Sequence, residues 1–279
     1  MRRNGAALIA AVLLQGCFFE PGRPSASPND SGVDGTGSGS GSGSGGPAPQ
    51  VRLLTHAYYS STGYSSGMTA SSWAIATTGV HDNDLLLFIA NIDNGSSDTW
   101  VLPSNFTQTA QNFFGTDGET YVAGYAIAHS EPPEYNGVYG GTNIHSASAV
   151  IMLLAVTGYD PSQPVFQSVD MAGSVGVDPV PLASDLMTNR ANTLLVFAGG
   201  ADWFNSAGAQ VVSAPPTGYT TIQALTDEGG SHLTWTSLLT AYKVQPTAGD
   251  TGQHVGHLTS TPEDDGIPWT VEFAIPPPP

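Results

Sequence analysis

Short apolar runs separated by clusters of Gly, Pro, Asn and Asp constrain the fold of residues 51–279 more than any other feature of the chain. ETYVAGYAI and WTVEFAI place apolar side chains at alternate positions, and in the second run Thr270 and Glu272 face the opposite way. This is the period of a half-buried strand. Further runs of this kind are VRLLTHAYYS, SSWAIAT, DLLLFIANI, NFTQTAQ, SAVIMLLAVTG, TLLVFAGG, GYTTIQAL and HLTWTSLLTAYKV. About ten strands without an amphipathic helix predict an all-β sandwich or barrel, of which we favour the two-sheet sandwich.

The apolar run from Ser146 to Val156 has two interpretations. It reads as a helix closed by Gly158, because glycine commonly follows the last turn of a helix. It reads equally as a continuous buried strand. We favour the strand because the neighbouring runs are all extended.

An internal repeat predicts two similar halves, about residues 80–160 and 190–276. NDLLLFIAN resembles NTLLVFAGG, LPSNFTQT resembles PPTGYTTI, AGYAIAH resembles LTAYKVQ, and VIMLLAV resembles WTVEFAI. The offset between paired positions rises from 109 residues, Asn83 to Asn192, to 119 residues, Val156 to Ile275, as loop insertions would make it. Chance similarity among strands is the alternative. With or without a repeat, the runs LLLF and LLVF are apolar on both faces of a strand, so other segments must pack against both faces.

The charge balance excludes one class of partner. Six Lys and Arg residues stand against 23 Asp and Glu residues, and the net charge is −17. Nucleic acids and anionic lipid head groups are bound chiefly through Lys and Arg. We therefore expect no nucleic-acid binding. The acidity suits solubility outside the cell or, alternatively, the binding of divalent cations.

The N-terminus has the layout of a secretory signal: two arginines, an apolar stretch from Ala6 to Leu14, then small or polar residues. As a helix this stretch reaches about 14 Å, which is too short for the roughly 30 Å of bilayer hydrocarbon. Leu14-Gln15-Gly16-Cys17 resembles the lipobox of bacterial lipoproteins, with Gln15 where Ala or Ser is more usual. An ordinary signal peptide with an incidental cysteine is the alternative.

The lipobox resemblance implies cleavage after a signal peptide of residues 1–16 and a diacylglycerol thioether on Cys17. Two or more acyl chains hold a protein stably on a membrane. Phe18 stands where inner-membrane lipoproteins of enteric bacteria often have Asp, so the resemblance indicates a lipid anchor in the outer membrane of the cell envelope. Cys17 is also the only cysteine, so no intrachain disulfide forms.

Residues 17–50 carry the cysteine and a Gly/Ser/Pro-rich segment without apolar periodicity. Such a composition predicts a disordered tether. A flexible coil of roughly 33 residues has a root-mean-square reach of about 30 Å. We expect the β domain of residues 51–279 to stand off the membrane.

The domain also resembles jelly-roll-like modules of secreted bacterial and phage surface proteins. The resemblance is carried by strands that open on Asp or Asn plus Leu-Leu, and by the turn Pro216-Thr217-Gly218-Tyr219-Thr220. The first half has the degraded form Pro103-Ser104-Asn105-Phe106-Thr107. These motifs are structural, and they imply a fold and not an activity.

Two sets of residues are candidate metal ligands. Carboxylates bracketing one apolar run are the hard oxygen ligands that calcium takes, and turn formation explains them equally; they are Asp82, Asp84, Asp93 and Asp98, with Asn94 beside them. Imidazole and carboxylate together suit zinc; this set is Asp250, His254, His257, Glu263, Asp264 and Asp265. For the histidines we favour solvated loop residues, because Gly252 and Gly256 indicate a loop.

Two further sets are candidates for glycan chemistry. Glu131 and Glu134 flank two prolines, and paired carboxylates are what glycoside hydrolysis requires; surface charge is the simpler interpretation. Aromatic side chains on loops stack on sugars or anchor protein partners; this set is Trp100, Tyr135, Tyr139 and Trp203. Trp73, Trp235 and Trp269 are expected in the core.

No nucleophile elbow, H-E-x-x-H or phosphate-binding loop occurs in the chain, and no G-x-G-x-x-G follows a predicted strand. We therefore expect a non-enzymatic, lipid-anchored β-sandwich that binds a glycan or a protein, without a required cofactor. A glycan-active or metal-dependent hydrolase is one alternative, and a purely structural envelope component is another.

Overall fold

The computed structural model describes residues 46–60, 71–93, 101–114, 119–139, 148–172, 180–181, 186–203, 212–228, 235–258 and 268–279. All of them belong to the unit Ser42–Pro279. Over these ranges the chain forms seventeen β-strands and no helix, and accordingly no helix there is long and apolar enough to cross a membrane. The predicted signal peptide, Cys17 and nearly all of the tether lie outside the described residues.

The strands fall into two sets along the chain. The first half contributes β1 (Gln50–Ser60), β2 (Ser71–Ala76), β3 (Leu85–Asp93), β4 (Thr107–Phe114), β5 (Glu119–Ile127), β6 (Glu134–Tyr139) and β7 (Ser148–Thr157). The second half contributes β8 (Gln167–Ala172), β9 (Val180–Pro181), β10 (Met187–Thr188), β11 (Thr193–Trp203), β12 (Val212–Ala214), β13 (Thr220–Glu228), β14 (Trp235–Gln245), β15 (Gly249–Asp250), β16 (Val255–Leu258) and β17 (Trp269–Ile275).

Two five-stranded antiparallel sheets form the predicted sandwich. The first has the order β1-β7-β3-β5-β4 and the second the order β13-β14-β11-β17-β8, so each sheet is built from one half of the chain. Smaller sheets are β2-β6, β12-β16-β9 and β10-β15. In each half the first strand pairs with the last and the second with the penultimate. The two halves therefore share one nested order of antiparallel strand pairs.

The register of the two sheets carries the internal repeat. Leu85 of β3 pairs with Ile127 and Val156, and Leu194 of β11 pairs with Val244 and Ile275. These are the positions that the sequence repeat aligns.

The repeat extends to local irregularities. β4 and β13 each carry a bulge, between Gln108 and Ala110 and between Thr221 and Gln223, which are matched positions. A residue with positive φ precedes β3 and β11 and is in both cases an asparagine: Asn83 at 69° and Asn192 at 61°. Asparagine tolerates this left-handed conformation better than most residues, so the repeat includes backbone chemistry as well as apolar pattern.

Three apolar cores result from this layering. The first lies between the two main sheets and includes Leu85 and Val196. The second lies between the outer face of the first main sheet and β2-β6, where Phe88 meets Trp73. The third lies on the outer face of the second main sheet and contains Phe197. The two-sided cover predicted for LLLF and LLVF is therefore confirmed.

The prediction that β17 is half-buried is wrong, because all seven of its residues are buried. The third core covers the face of β17 that carries Thr270 and Glu272, which the alternation of apolar and polar residues predicts to be exposed to solvent. Glu272 lies in this layer with only 1% of its surface exposed. The same correction applies to β5, where Val122 and Ala126 are buried under β2-β6.

Two local predictions have opposite outcomes. The run ending at Val156 is strand β7, as favoured over the helix, and it stops at Gly158, whose φ of 73° suits glycine. The prediction that Tyr135 and Tyr139 lie on loops is wrong, because residues 134–139 form strand β6, which pairs with β2. β6 was missed because Asn136 and Gly137 interrupt its apolar pattern.

Candidate functional site

An open groove of about 500 Å³ lies where the turn before β4 meets the chain leading into β6. Its volume is in the range of small-ligand sites. Prolines, amides, a hydroxyl, a phenol and two carboxylates line it: Pro103, Ser104, Asn105, Glu131, Pro132, Glu134, Tyr135 and Asn136.

The first wall of the groove is a tight turn. The Phe106 backbone N–H donates to the Pro103 carbonyl oxygen at 2.9 Å, which closes a four-residue turn. The Phe106 ring anchors this turn by edge-to-face contacts with Phe88 and Tyr135, with ring centroids 5.8 Å and 5.3 Å apart. Because the Phe106 ring at the end of the turn packs against other rings, Asn105 is left exposed at the tip of the turn.

The second wall is the segment between β5 and β6. The Ser130 N–H donates to an Asp82 carboxylate oxygen at 3.0 Å, and Ser130 itself has a left-handed φ of 56°. The Thr77 N–H donates to the Pro133 carbonyl oxygen at 3.0 Å. These bonds hold a proline-rich segment, already restricted in φ, against the sheet.

Glu131 is the most constrained side chain in the groove. Its Oε1 accepts the His129 N–H at 2.9 Å, and its Oε2 accepts both the Tyr135 hydroxyl and the Asn105 amide N–H, the latter at 3.2 Å. Burial, and then the hydrogen bond to Glu131, raise the pKa of the Tyr135 phenol above its ordinary value. The phenol therefore stays protonated at neutral pH and acts as a donor to the carboxylate.

This arrangement presents acceptors to a ligand in fixed positions. A carboxylate has about four acceptor sites, of which three are used at Glu131. The exposed Glu134 carboxylate and the Asn105 and Asn136 amides offer further acceptors and donors. The prolines add apolar surface beside them. Such a mixture suits a ligand rich in hydroxyl groups, or one carrying an ammonium group, better than an anion.

Among the residues named for glycan chemistry, Glu131, Glu134 and Tyr135 line this one groove. Tyr135 is 4% exposed and reaches the groove through its hydroxyl end, so it is not the stacking platform expected of a loop tyrosine. Tyr139 and Trp203 end β6 and β11, but their side chains are not described. Trp100 lies outside the described residues.

The residues predicted for calcium do not come together. Asp82 and Asp84 lie in the turn before β3, whereas Asp93 is the last residue of β3, at its opposite end. Asp84 is buried and receives the Arg52 guanidinium at 2.8 Å, and Asp82 receives the Ser130 N–H. Asp98 lies outside the described residues. The hydrogen-bond partners of the Asp82 and Asp84 carboxylates are protein groups.

The prediction that His254 is a solvated loop residue is wrong. His254 is 7% exposed and lies against Tyr219 and Glu272 on the outer face of the second main sheet. His257 is exposed on β16, so the two histidines do not share one site. Glu263, Asp264 and Asp265 lie outside the described residues. Among the described residues, no cluster of three His, Cys, Asp or Glu side chains is placed to hold a metal.

The sequence alone does not identify three residues of the groove and of the contacts around His254: Asn105, Tyr219 and Glu272. Tyr219 and Asn105 were noted only as members of turns. Glu272 was assigned to a solvent face. The repeat contains a signal for Glu272, because the alignment of β17 with β7 matches Glu272 with the apolar Leu153. A charged residue at a position that is apolar in the other half indicates that the surroundings of that position differ between the halves.

Comparison with protein-family models, with curated proteins and with solved structures gives no match. The chemistry of the groove, and that of the buried contacts among Tyr219, His254 and Glu272, therefore rests on their own side chains.

Proposed function

We propose that this chain is a lipid-anchored cell-envelope protein whose β-sandwich binds a hydroxyl-rich ligand of the glycan class in the groove at Glu131. One observation carries the proposal: Glu131 is fixed by three donors inside an open groove of about 500 Å³. Fixing an acceptor before the ligand arrives removes part of the ordering cost of binding.

The anchoring part of the proposal is supported by the lipobox resemblance at Cys17 and by the Gly/Ser-rich segment that follows it. The ligand class is supported by the lining, which offers carboxylates and amides to hydroxyl groups and, among the lining residues that the structure describes, has no Lys or Arg to receive an anion. The net charge of −17 points the same way, since it disfavours polyanions.

Glycan binding is tested with the full-length chain in detergent on an array of neutral, acidic and amino sugars. We expect binding to neutral or amino sugars. Glu131→Gln and Asn105→Ala should each weaken it at least tenfold, because each removes a fixed polar contact. Asp250→Asn is the control, since Asp250 lies in β15 of the second half, outside the groove, and its carboxylate accepts the Gly252 N–H. No binding to any sugar, or equal binding by all variants, would refute the proposal.

The anchor is tested separately by Cys17→Ala. We expect this variant to lose labelling by radioactive palmitate and partitioning into the detergent phase. Unchanged labelling would show that Cys17 carries no lipid, without bearing on the groove.

Glycoside hydrolysis is a second candidate, favoured by the placement of Glu131 and Glu134 in the same groove. Such enzymes use two carboxyl groups flanking the scissile bond. Turnover of chromogenic glycosides that disappears in Glu134→Gln, while sugar binding persists, would replace the binding-only function with catalysis.

A further inference from the structure

Hydrogen-bond donors are scarce in the groove at Glu131. Of the described residues that line it, four have side chains with a donor: Ser104, Asn105, Tyr135 and Asn136. The Tyr135 hydroxyl donates to Glu131 Oε2, and the Asn105 amide N–H donates to the same oxygen at 3.2 Å. Two of the four donors are therefore directed at the protein's own carboxylate and not at a ligand.

The orientation of the Asn105 amide follows from these contacts. A carboxylate oxygen accepts hydrogen bonds, so the Asn105 atom that faces Glu131 is the nitrogen Nδ2. The second contact of Nδ2, at 3.4 Å from the Tyr135 hydroxyl oxygen, points the same way. Because Asn105 is exposed at the tip of its turn, its carbonyl oxygen Oδ1 is left as an acceptor for a ligand.

Acceptors predominate among the groups that remain for a ligand. Glu131 has about one of its four acceptor sites left, and the Glu134 carboxylate at the start of β6 is exposed. Asn105 Oδ1 adds a third acceptor. A ligand complementary to this lining donates more hydrogen bonds than it accepts. An ammonium group is the extreme case, because it has three donors and no acceptor.

The distribution of positive charge favours the same group. Residues 51–279 contain three Lys and Arg residues, and none of them lines the groove. All three are engaged elsewhere: Arg52 with Asp84, Arg190 with Asp160, and Lys243 over the ring of Tyr219. Within the described part of the chain, no Lys or Arg pairs with Glu131 or Glu134. A cation that neutralises these two carboxylates therefore has to come from the ligand.

The fixed position of the Glu131 carboxylate adds to the selectivity for a cation. Three donors hold it before a ligand arrives, which removes part of the ordering cost of binding. Asp82 accepts the Ser130 N–H at 3.0 Å and so places a further carboxylate beside the second wall. Hydrogen bonds between an ammonium group and a carboxylate are about twice as strong as neutral ones. The groove thus favours an ammonium group over a hydroxyl group at this point.

We propose that the ligand of the glycan-binding function above, on which this inference rests, is an amino sugar held in the groove by its ammonium group. The ammonium group donates to the Glu131 and Glu134 carboxylates and to Asn105 Oδ1. The hydroxyl groups of the sugar exchange hydrogen bonds with Ser104 and Asn136. N-acetylation removes the charge and two of the three donors and adds an acceptor, so the groove distinguishes the free amine from the acetylated sugar.

The test compares two oligosaccharides of equal length, one of glucosamine and one of N-acetylglucosamine. Their binding to the full-length chain in detergent is measured by calorimetry just below neutral pH. We expect the glucosamine oligomer to bind at least tenfold more tightly. Glu134→Gln should remove most of this advantage and leave binding of the N-acetylglucosamine oligomer unchanged, because glutamine keeps the size and polarity of the side chain. Sodium chloride should weaken binding of the glucosamine oligomer selectively, since salt screens exposed charges.

Asp250→Asn is the control for overall charge, because it removes one exposed carboxylate outside the groove and should keep the full advantage. Equal affinity of the wild-type chain for the two oligomers would overturn the preference for a free amine and leave glycan binding intact. Absence of binding to both would refute glycan binding as well. An advantage that persists in Glu134→Gln, or that falls equally in Asp250→Asn, would also overturn the proposal.

Spermidine separates an amino-sugar site from a general amine site. It carries ammonium groups but no sugar hydroxyl groups, so it lacks partners for Ser104 and Asn136. We expect it to compete at least tenfold more weakly than the glucosamine oligomer. Equally strong competition would overturn the assignment to a sugar.

Discussion

Trp269 stacks on Tyr121 between the two main sheets, with ring centroids 4.5 Å apart and planes inclined by 11°. The contact joins β17 of the second half to β5 of the first. Asn91 adds a polar link at the same place: its Oδ1 accepts the Trp269 indole N–H at 2.9 Å, and its Nδ2 donates to the Ser237 carbonyl oxygen at 3.1 Å. The two halves are therefore held in register by specific hydrogen bonds as well as by apolar contact.

Replacing Asn91 tests this link. Asn91→Ala leaves the buried indole N–H of Trp269 and the Ser237 carbonyl without this partner, and an unsatisfied buried group costs about 1 to 3 kcal/mol. We expect the free energy of unfolding in urea to fall by at least that amount. Asn136→Ala, at an exposed position of β6, is the control and should change stability little. Equal stability of Asn91→Ala and wild type would contradict a role for this link.

Gly200 tests the packing around the same indole. A Cβ at Gly200 would lie 2.6 Å from Trp269 ring atoms, inside the fully buried layer. Overpacking of this kind costs about 1 to 3 kcal/mol. Gly200→Ala should therefore lower the urea midpoint. Pairing it with Trp269→Leu should restore part of the loss, because the clash disappears with the ring. Independent, additive effects would show that the clash is absent.

The buried hydrogen bonds among Tyr219, His254 and Glu272 predict an energetic coupling between Tyr219 and Glu272. Glu272→Leu restores the residue type of the matching Leu153 but leaves the Tyr219 hydroxyl and His254 Nδ1 with fewer partners. The double variant Tyr219→Phe, Glu272→Leu removes both sides of one hydrogen bond. We expect a coupling energy of about 1 to 3 kcal/mol from the double-mutant cycle, measured by urea unfolding. A coupling near zero would indicate that the two side chains do not contact each other.

Acid should weaken the attachment of the C-terminal segment. Hydrogen bonds from Ser162, then the Arg190 guanidinium at 2.5 Å, lower the pKa of the Asp160 carboxyl from 3.8 to about 2. A carboxyl with a depressed pKa in the folded state stabilises the fold fully above pH 3.8 and progressively less as the pH falls towards 2. The difference in melting temperature between wild type and Asp160→Asn should therefore shrink over this range. A difference that stays constant from pH 6 to pH 2 would contradict it.

Arg190 also donates to the Pro277 carbonyl oxygen at 2.7 Å, and the Asp160 N–H donates to the Pro276 carbonyl oxygen at 2.9 Å. Removing Pro276 to Pro279 should consequently reduce the effect of Asp160→Asn on stability. Thermal unfolding of the truncated chain with and without the substitution measures this. If Asp160→Asn has the same effect on stability in the truncated chain, the ion pair between Asp160 and Arg190 does not stabilise the attachment of the C-terminal segment.

Strand positions were predictable wherever apolar residues alternate or follow one another without interruption. ETYVAGYAI and WTVEFAI match β5 and β17 residue for residue. β6 was not predicted, because a strand that covers a sheet needs few apolar residues of its own. Trp73 of β2 packs over Gly137 of β6, where a Cβ would lie 2.7 Å from the indole. Glycine there reflects a close approach and not a loop.

The groove was predictable only in pieces. Glu131 and Tyr135 were singled out for different reasons, as half of a carboxylate pair and as an aromatic platform, and Asn105 was only part of a turn. Their hydrogen bonds join residues up to thirty positions apart. No local pattern encodes such a contact, because it depends on how β4 and β6 are placed around the first sheet.

The sequence by itself determined the strand class and indicated two similar halves, since apolar periodicity, turn residues and the repeat are all local or self-comparing signals. Only the tertiary structure decided which strand faces meet water. Glu272 shows why: alternation along β17 assigns it to a polar face, yet the layer formed by β9, β12 and β16 lies over that face and places the carboxylate beside His254. Whether a strand face is buried depends on which other segments of the folded chain pack against it, and the residues of the strand alone do not show this.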